Sequence, residues 1–278
     1  MENKRVAGIA IVGTGMLGRS LRNLLRFKCD RLVLTHLEHP TYRDSQVFDF
    51  FRDDIGQVKG FAETDIVILP AKIEFEEDSI KLTAAMRRFL ERCAGKRVVY
   101  VSSDGIFDGQ RGMYAETDEP HPVTCYGRNL AACERLVQEL VPDHCIARPS
   151  YLYGYSAGVL DSRTWKVQEG LLNGAKVKRF TDMFKSPLSY RQAAEVIASL
   201  ALGSYRGMVH VAGPRLSVYA FTKAAMEALH IPTKRLAGES MPKGRPEEFL
   251  PDTSLNFDRM VELTGIAPLP VKESFSQN

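Results

Sequence analysis

The sequence predicts an α/β fold: a doubly wound parallel sheet with a smaller C-terminal substrate domain. Three observations carry this. Compact apolar runs recur at Val6–Val12, Asp65–Pro70 and Val98–Val101, the length of buried strands and shorter than core helices. Amphipathic helical stretches lie between them, and strands alternating with helices imply βαβ units and a parallel sheet. The first run ends in Gly13-Thr-Gly15-Met-Leu-Gly18 and continues into Leu17, Leu21, Leu24 and Leu25 at helical spacing.

That strand, turn and helix context gives the three glycines separate tasks. Gly13 permits the tight turn, Gly15 lets a pyrophosphate approach the backbone, and Gly18 lets helix and strand pack closely. The helix N-terminus, with Met16 and Leu17, faces the phosphates. A Rossmann-like dinucleotide site is therefore expected at Gly13, Gly15, Met16, Leu17, Gly18 and Arg19. Arg31 to His36 reads as the second strand. An NAD-preferring site places Asp or Glu at its end, to bond the ribose hydroxyls. Thr35 and His36 stand there instead, and Glu38 comes late. Arg19 is placed either to hold a 2′-phosphate or simply in solvent on the helix. The first reading tilts the choice from NAD toward NADP.

Asp78-Ser79 opens a helix whose apolar face is Leu82, Met86, Phe89, Leu90 and Cys93, with Gly95 as its terminator. Lys72, just after the preceding strand, is either a phosphate contact at the crevice or a solvated lysine. Val98–Val101 then delivers Ser102, Ser103 and Asp104 to a strand end, where open α/β sheets bind ligands. Tyr126 follows near the start of a helical stretch bounded by Pro122 and Pro142. A hydroxyl and a phenol facing one carbonyl form a proton-donating pair.

The stretch from Val98 to Glu134 resembles the extended short-chain dehydrogenase/reductases, most closely the dTDP-4-dehydrorhamnose reductase group. That group carries Ser-Thr-Asp-Tyr-Val-Phe-Asp-Gly at a strand end, then Tyr-x-Glu-x-Asp-x-x-x-Pro, then Tyr-Gly-x-x-Lys. Ser102, Ser103, Asp104, Phe107, Asp108, Gly109, Tyr114, Glu116, Asp118, Pro122, Tyr126 and Gly127 fall in register without a gap. Two positions depart: Gly105 stands where the group has Tyr, and Leu130 where it has its catalytic Lys. The resemblance implies Ser103 and Tyr126 as catalytic residues, with Tyr126 also at the cofactor. It implies Arg148 beside the nicotinamide, from the Arg148-Pro149-Ser150-Tyr151-Leu152-Tyr153-Gly154 segment. Leu130 has no donor and would desolvate the phenol; Arg128 points to another face, and Lys72 or Lys185 is the route by which a lysine reaches the site. Asp104 and Asp108 are implied as loop and site organisers.

Residues 155–185 read as a polar, substrate-side insertion. Ala194, Ile197, Leu200 and Ala201 give a helical stripe, Met208–Val211 a strand, and Ser217–His230 a helix with a serine cap. Lys234–Pro251, rich in Gly, Pro and basic residues, reads as a loop. Asp252–Gly265 resembles the group's closing segment. The expected division is 1–154 plus 186–212 for the dinucleotide domain and 155–185 plus 213–278 for the substrate domain.

The 37 basic and 34 acidic residues are well mixed and leave a net charge of +3, which argues against nucleic-acid or anionic-membrane partners. Five cysteines without Cys-x-x-Cys spacing fit reduced thiols in a cytoplasmic protein. No apolar run approaches a bilayer span, and the N-terminus reads as a first strand and not as a signal peptide. His36 and His39 lack partners at zinc-ligand spacing. The resemblance implies an NAD(P)-dependent reductase of a nucleotide-linked 4-keto sugar. Its rivals are an inactive NAD(P)-binding relative serving as sensor or regulatory partner, and an epimerase or dehydratase. A homodimer or a partner enzyme is compatible with each.

Overall fold

The computed structural model describes residues 6–38, 40, 42–242 and 249–276; His39 and positions 243–248 of the expected loop lie outside them. Seven strands form the central sheet: β1 Val6–Val12, β2 Cys29–His36, β3 Gln46–Val47, β4 Ile66–Leu69, β5 Arg97–Val101, β6 His144–Pro149 and β7 Gly207–Val211. Their order is β7-β6-β5-β4-β1-β2-β3, and every pairing is parallel. This is a Rossmann-like doubly wound sheet. The order reverses between β1 and β4, and the crevice at such a switch point is where these sheets bind ligands.

Among the described residues eight helices accompany it: α1 Met16–Leu25, α2 Ser79–Arg92, α3 Cys125–Leu140, α4 Ser162–Leu172, α5 Tyr190–Leu202, α6 Val218–Ala228, α7 Asp258–Thr264 and α8 Val271–Ser276. Leu17, Leu21 and Leu25 of α1 join Ala194, Ile197 and Ala201 of α5 on one side of the sheet. Leu82, Met86, Phe89 and Leu90 of α2 join Leu136 and Val137 of α3 on the other. Burial of each large side chain contributes roughly 1.5 to 3 kcal/mol. With both faces covered, all four residues of β4 are buried, hence its unbroken apolar run. The α2 helix starts where expected, because the Asp78 carboxylate accepts from the Ile80 and Lys81 amides at 2.9 and 3.0 Å.

Two segments differ from their expected character. The polar insertion contains α4, whose buried stripe is only Thr164, Val167 and Leu171. The Asp161 carboxylate caps it by accepting from Arg163 and Thr164 at 3.1 and 3.0 Å. The expected 234–251 loop contains a strand, Leu236–Glu239, paired in parallel with Val177–Phe180. Val167, Leu171, Phe221, Met226, Leu236, Val271 and Phe275 form a separate apolar cluster beyond the sheet. Met260 of α7 packs instead with the α1 and α5 side of the sheet. No helix of the described residues is long and apolar enough to cross a membrane.

Candidate functional site

A cavity of about 880 Å³ opens at the switch point, within the range of small-molecule and cofactor pockets. Its floor is the glycine turn. Gly13 adopts φ +107°, and a Cβ there would meet Ala71 at 3.1 Å. The Gly13 amide donates to the Thr35 hydroxyl at 3.1 Å and the Thr14 amide to the Thr35 carbonyl at 3.0 Å. Thr35 at the end of β2 thus braces the turn, where an NAD site places an acid. His36 is buried, with Nδ1 2.7 Å from the Ser45 hydroxyl.

Gly15 and Gly18 behave oppositely. A Cβ on Gly15 would meet nothing within 4 Å, whereas one on Gly18 would lie 2.1 Å from the Gly13 carbonyl oxygen. Gly13, Gly15, Met16, Leu17 and Arg19 line the cavity, and Gly18 sits behind it. No side chain caps α1 at Gly15, so its first-turn amides have no intrahelical partner and face the cavity end.

Ser103 and Tyr126 line the same cavity. Ser103 follows the end of β5 and caps a short turn, its oxygen accepting from the Gly105 amide at 3.3 Å. Thr124 caps α3 by accepting from the Gly127 amide at 3.0 Å, which fixes Tyr126 in the first turn. Burial first, then the Glu74 carboxyl, push the Tyr126 pKa well above its ordinary value; the neighbouring Ser103 hydroxyl acts the other way.

The two departures from the family pattern are neighbours. A Cβ on Gly105 would meet the Tyr126 ring at 3.0 Å and Leu130 Cδ1 at 3.5 Å. Gly105 therefore leaves the room that the Tyr126 ring occupies, and Phe75 stacks on that ring at 4.6 Å between centroids. Leu130 is 1% exposed, in an apolar cluster with Ile106, Phe107, Tyr114, Ala212 and Leu255. Exposed Arg128 donates to the Val123 carbonyl.

Arg148 corrects an expectation. It is fully buried, does not line the cavity, and forms a two-pronged ion pair with Glu134 of α3 at 2.9 and 2.6 Å. Its guanidinium ties β6 to α3 and lies over the Phe107 ring. The chain reaches the cavity from this segment through Pro149, Ser150, Tyr151 and Leu152 instead.

Three cavity residues had weak or no sequence signal. Glu74 is 2% exposed, accepts from the Tyr100 hydroxyl at 2.5 Å, and has its pKa raised to about 7, chiefly by burial. Asn129 of α3 holds that loop by donating to the carbonyls of Glu74 and Glu76 at 2.9 and 2.7 Å. Lys72 is on the exposed rim, where desolvation and then Arg163 lower its pKa. Lys185 comes from the insertion and places Nζ 3.1 Å from Asp104 Oδ2. Arg163 and Lys185 bring the 155–185 segment to the cavity, but no described residue of 213–250 lines it.

Chemically, this is a donor pair at a strand end, facing a glycine-turn cradle across one cavity. A profile of the family described as the RmlD substrate binding domain matches residues 78–268. The beta subunit of methionine adenosyltransferase 2 from Danio rerio is 26% identical over 201 residues, 66% of this chain and 61% of that protein. A dTDP-4-dehydrorhamnose reductase from Aggregatibacter actinomycetemcomitans is 29% identical over 162 residues, 54% of this chain and 53% of the relative. The chain spans about half the length of the curated relatives it matches. The crystal structure of a dTDP-4-dehydrorhamnose reductase from Bacillus anthracis in complex with NADP superposes with a TM-score of 0.77 at 21% identity, covering 98% of this chain and 97% of that one. The fold, the in-register stretch through Tyr126 and the profile match agree: the chain belongs to the RmlD substrate binding domain family of extended short-chain dehydrogenase/reductases.

Proposed function

We propose that the protein is a nicotinamide-dependent reductase of a nucleotide-linked 4-keto sugar, with Ser103 and Tyr126 at the reacting carbonyl. The observation that carries this is the single cavity lined by both the glycine turn and the Ser103/Tyr126 pair. The residues present suit a dinucleotide: Gly15 leaves open space above the turn, and the uncapped first turn of α1 offers amide donors to a pyrophosphate. Arg19 lines the cavity and no acid ends β2, which favours NADP over NAD. Residues Gly13, Gly15, Met16, Leu17 and Arg19 would hold the cofactor, with Gly18 keeping the turn closed and Tyr126 at its reactive end.

A reduced nicotinamide held by these residues would supply the hydride for the carbonyl carbon. Tyr126 donates its phenolic proton to the carbonyl oxygen, and Ser103 hydrogen-bonds that oxygen as charge gathers on it. The product is an alcohol, and the phenolate regains its proton from solvent. The expected division, 155–185 plus 213–278 as the substrate side, is supported by an apolar cluster drawn mostly from those segments, although Met260 of α7 packs on the sheet.

One observation favours a second reading. Leu130 is buried in an apolar cluster where the family pattern has its catalytic Lys, and the chain also matches a methionine adenosyltransferase subunit. On that reading the chain binds a cofactor without turning over and serves as a sensor or regulatory partner. The experiment is a fluorescence titration with NADPH and NADH, followed by NADPH oxidation with dTDP-4-dehydrorhamnose and other nucleotide 4-keto sugars. Binding with turnover supports the reductase; binding without turnover on any of them supports the regulatory reading.

A further inference from the structure

Position 130 has no charge to give, yet a lysine stands at the site. Lys185 lies 81 residues beyond Asp104 in sequence, and its Nζ is 3.1 Å from Asp104 Oδ2 and 2.5 Å from Thr253 Oγ1. Its backbone is held by antiparallel pairing of Phe184–Lys185 with Leu216–Ser217. The partner is no surface carboxylate: Asp104 is 7% exposed. Its Oδ2 also accepts from Thr253 Oγ1 at 2.5 Å and Ser150 Oγ at 3.2 Å, while Oδ1 accepts from Ser103 Oγ at 3.0 Å. Three separate segments of chain thus converge on one carboxylate, beside its own neighbour Ser103, and Lys185 and Asp104 both line the cavity.

The charge balance gives this cluster a consequence. Burial opposes ionisation of Asp104, but Lys185 and the hydrogen bonds outweigh it and hold the carboxyl below its ordinary range. A lone carboxylate there would hold the Ser103 hydrogen and raise the Tyr126 pKa further. It would also oppose negative charge growing on a carbonyl oxygen at the Ser103/Tyr126 pair. We infer that Lys185 is a positioning residue of the reductase site: paired with Asp104, it neutralises the carboxylate beside Ser103 and restores the positive charge that Leu130 does not carry. This rests on the reductase reading above.

The test uses the full chain with Lys185→Met, Lys185→Arg and Lys185→Met/Asp104→Asn. With dTDP-4-dehydrorhamnose and NADPH, Lys185→Met should lower kcat at least 30-fold, Lys185→Arg should stay within about fivefold, and the double variant should recover to within about fivefold. A second readout needs no turnover. The oxidised nicotinamide ring is cationic, so removing Lys185 should tighten NADP⁺ relative to NADPH. The ratio of their Kd values should fall at least threefold, from ordinary charge complementarity, and return in the double variant. An unchanged kcat with an unchanged Kd ratio in Lys185→Met overturns the inference. So does a loss that neither the arginine nor the double variant restores, since that marks a structural role alone. A wild type that binds NADPH but turns over no sugar sinks the reductase reading, and the Kd ratio still decides Lys185. A wild type that binds neither nucleotide overturns both.

Discussion

The glycine turn after β1 and the neighbourhood of Tyr126 are both strand-to-helix junctions on one cavity, held in opposite ways. The turn is shaped by backbone: Gly13 at φ +107° and Gly18 against the Gly13 carbonyl, braced by Thr35 at the end of β2. The Tyr126 site is shaped by the side chains of Phe75, Ser103, Leu130 and, through Asp104, Lys185, with Gly105 leaving room for the ring. A backbone-built site tolerates little change in its glycines and much in its neighbours. A site built from side chains is open to compensating substitution, and Gly105 and Leu130 meet beside the Tyr126 ring.

The sharpest way to break this contrast is inside the turn. Gly18→Val would drive a side chain into the Gly13 carbonyl oxygen, which a Cβ would already approach to 2.1 Å. Backbone must move, and a loss of about 4 kcal/mol or more is expected, the scale of severe core overpacking. Urea denaturation measures it; a variant as stable as wild type would mean that helix and strand are not packed through this glycine.

Next in size is the chemistry. Tyr126→Phe removes the phenolic proton while keeping the ring against Phe75 and Gly105. Turnover should fall roughly 10²- to 10⁴-fold with the melting temperature nearly unchanged. Retained turnover would move the proton donor elsewhere in the cavity. Ser103→Ala should cost less, because Ser103 only holds the oxygen.

Gly15→Val is the control for Gly18. The added side chain meets no protein atom within 4 Å, and Gly15 has φ −65° and ψ −168°, which valine tolerates. Stability should hold, while NADPH affinity falls about 100-fold, some 3 kcal/mol, because the side chain projects where the pyrophosphate must approach. Unchanged affinity would remove the turn from the cofactor site.

The same contrast explains what could be read from the sequence. Strand, turn and first helix are local, so Gly13 to Gly18 and the leucine stripe of α1 are legible within about 20 residues. The register from Ser102 to Tyr126 is legible through its resemblance to the family pattern, since nearly all of it lies between β5 and α3 and has no periodicity of its own. Arg148 differs from its expected place because position beside the cavity does not determine direction; Glu134, one strand-helix packing contact away, claims its guanidinium. The α4 helix shows only a narrow stripe interrupted by the exposed Trp165 and by Gly170, so its periodicity is weak. The pairing of Val177–Phe180 with Leu236–Glu239 crosses a long stretch of chain, and no local pattern encodes it. Glu74 looks like one acid in an acidic run; its burial comes from Tyr100 on β5 and Asn129 on α3.

Glu74 gives the smallest and most specific test, since it joins the two regions at the end of β4. Its carboxyl rises from 4.5 to about 7, chiefly because burial penalises the charge, against an opposing bond from the Tyr100 hydroxyl. A raised folded-state pKa means that the native state keeps a proton which the unfolded chain releases. The stabilisation is therefore complete below pH 4.5 and is lost as pH rises through about 7. Gln at this position accepts the Tyr100 hydrogen and never ionises. The stability of wild type minus Glu74→Gln should then fall between pH 5 and 7.5, by roughly 2 kcal/mol, and level off above. Thermal melts of both proteins across that range measure the difference, where 2 kcal/mol corresponds to several degrees. A constant difference would mean that Glu74 ionises as an ordinary surface carboxylate, with the cavity wall at the end of β4 open to water. A slope in the predicted direction would mean that a proton is stored beside Tyr126 at neutral pH, on the cavity that the side-chain-built region shares with the glycine turn.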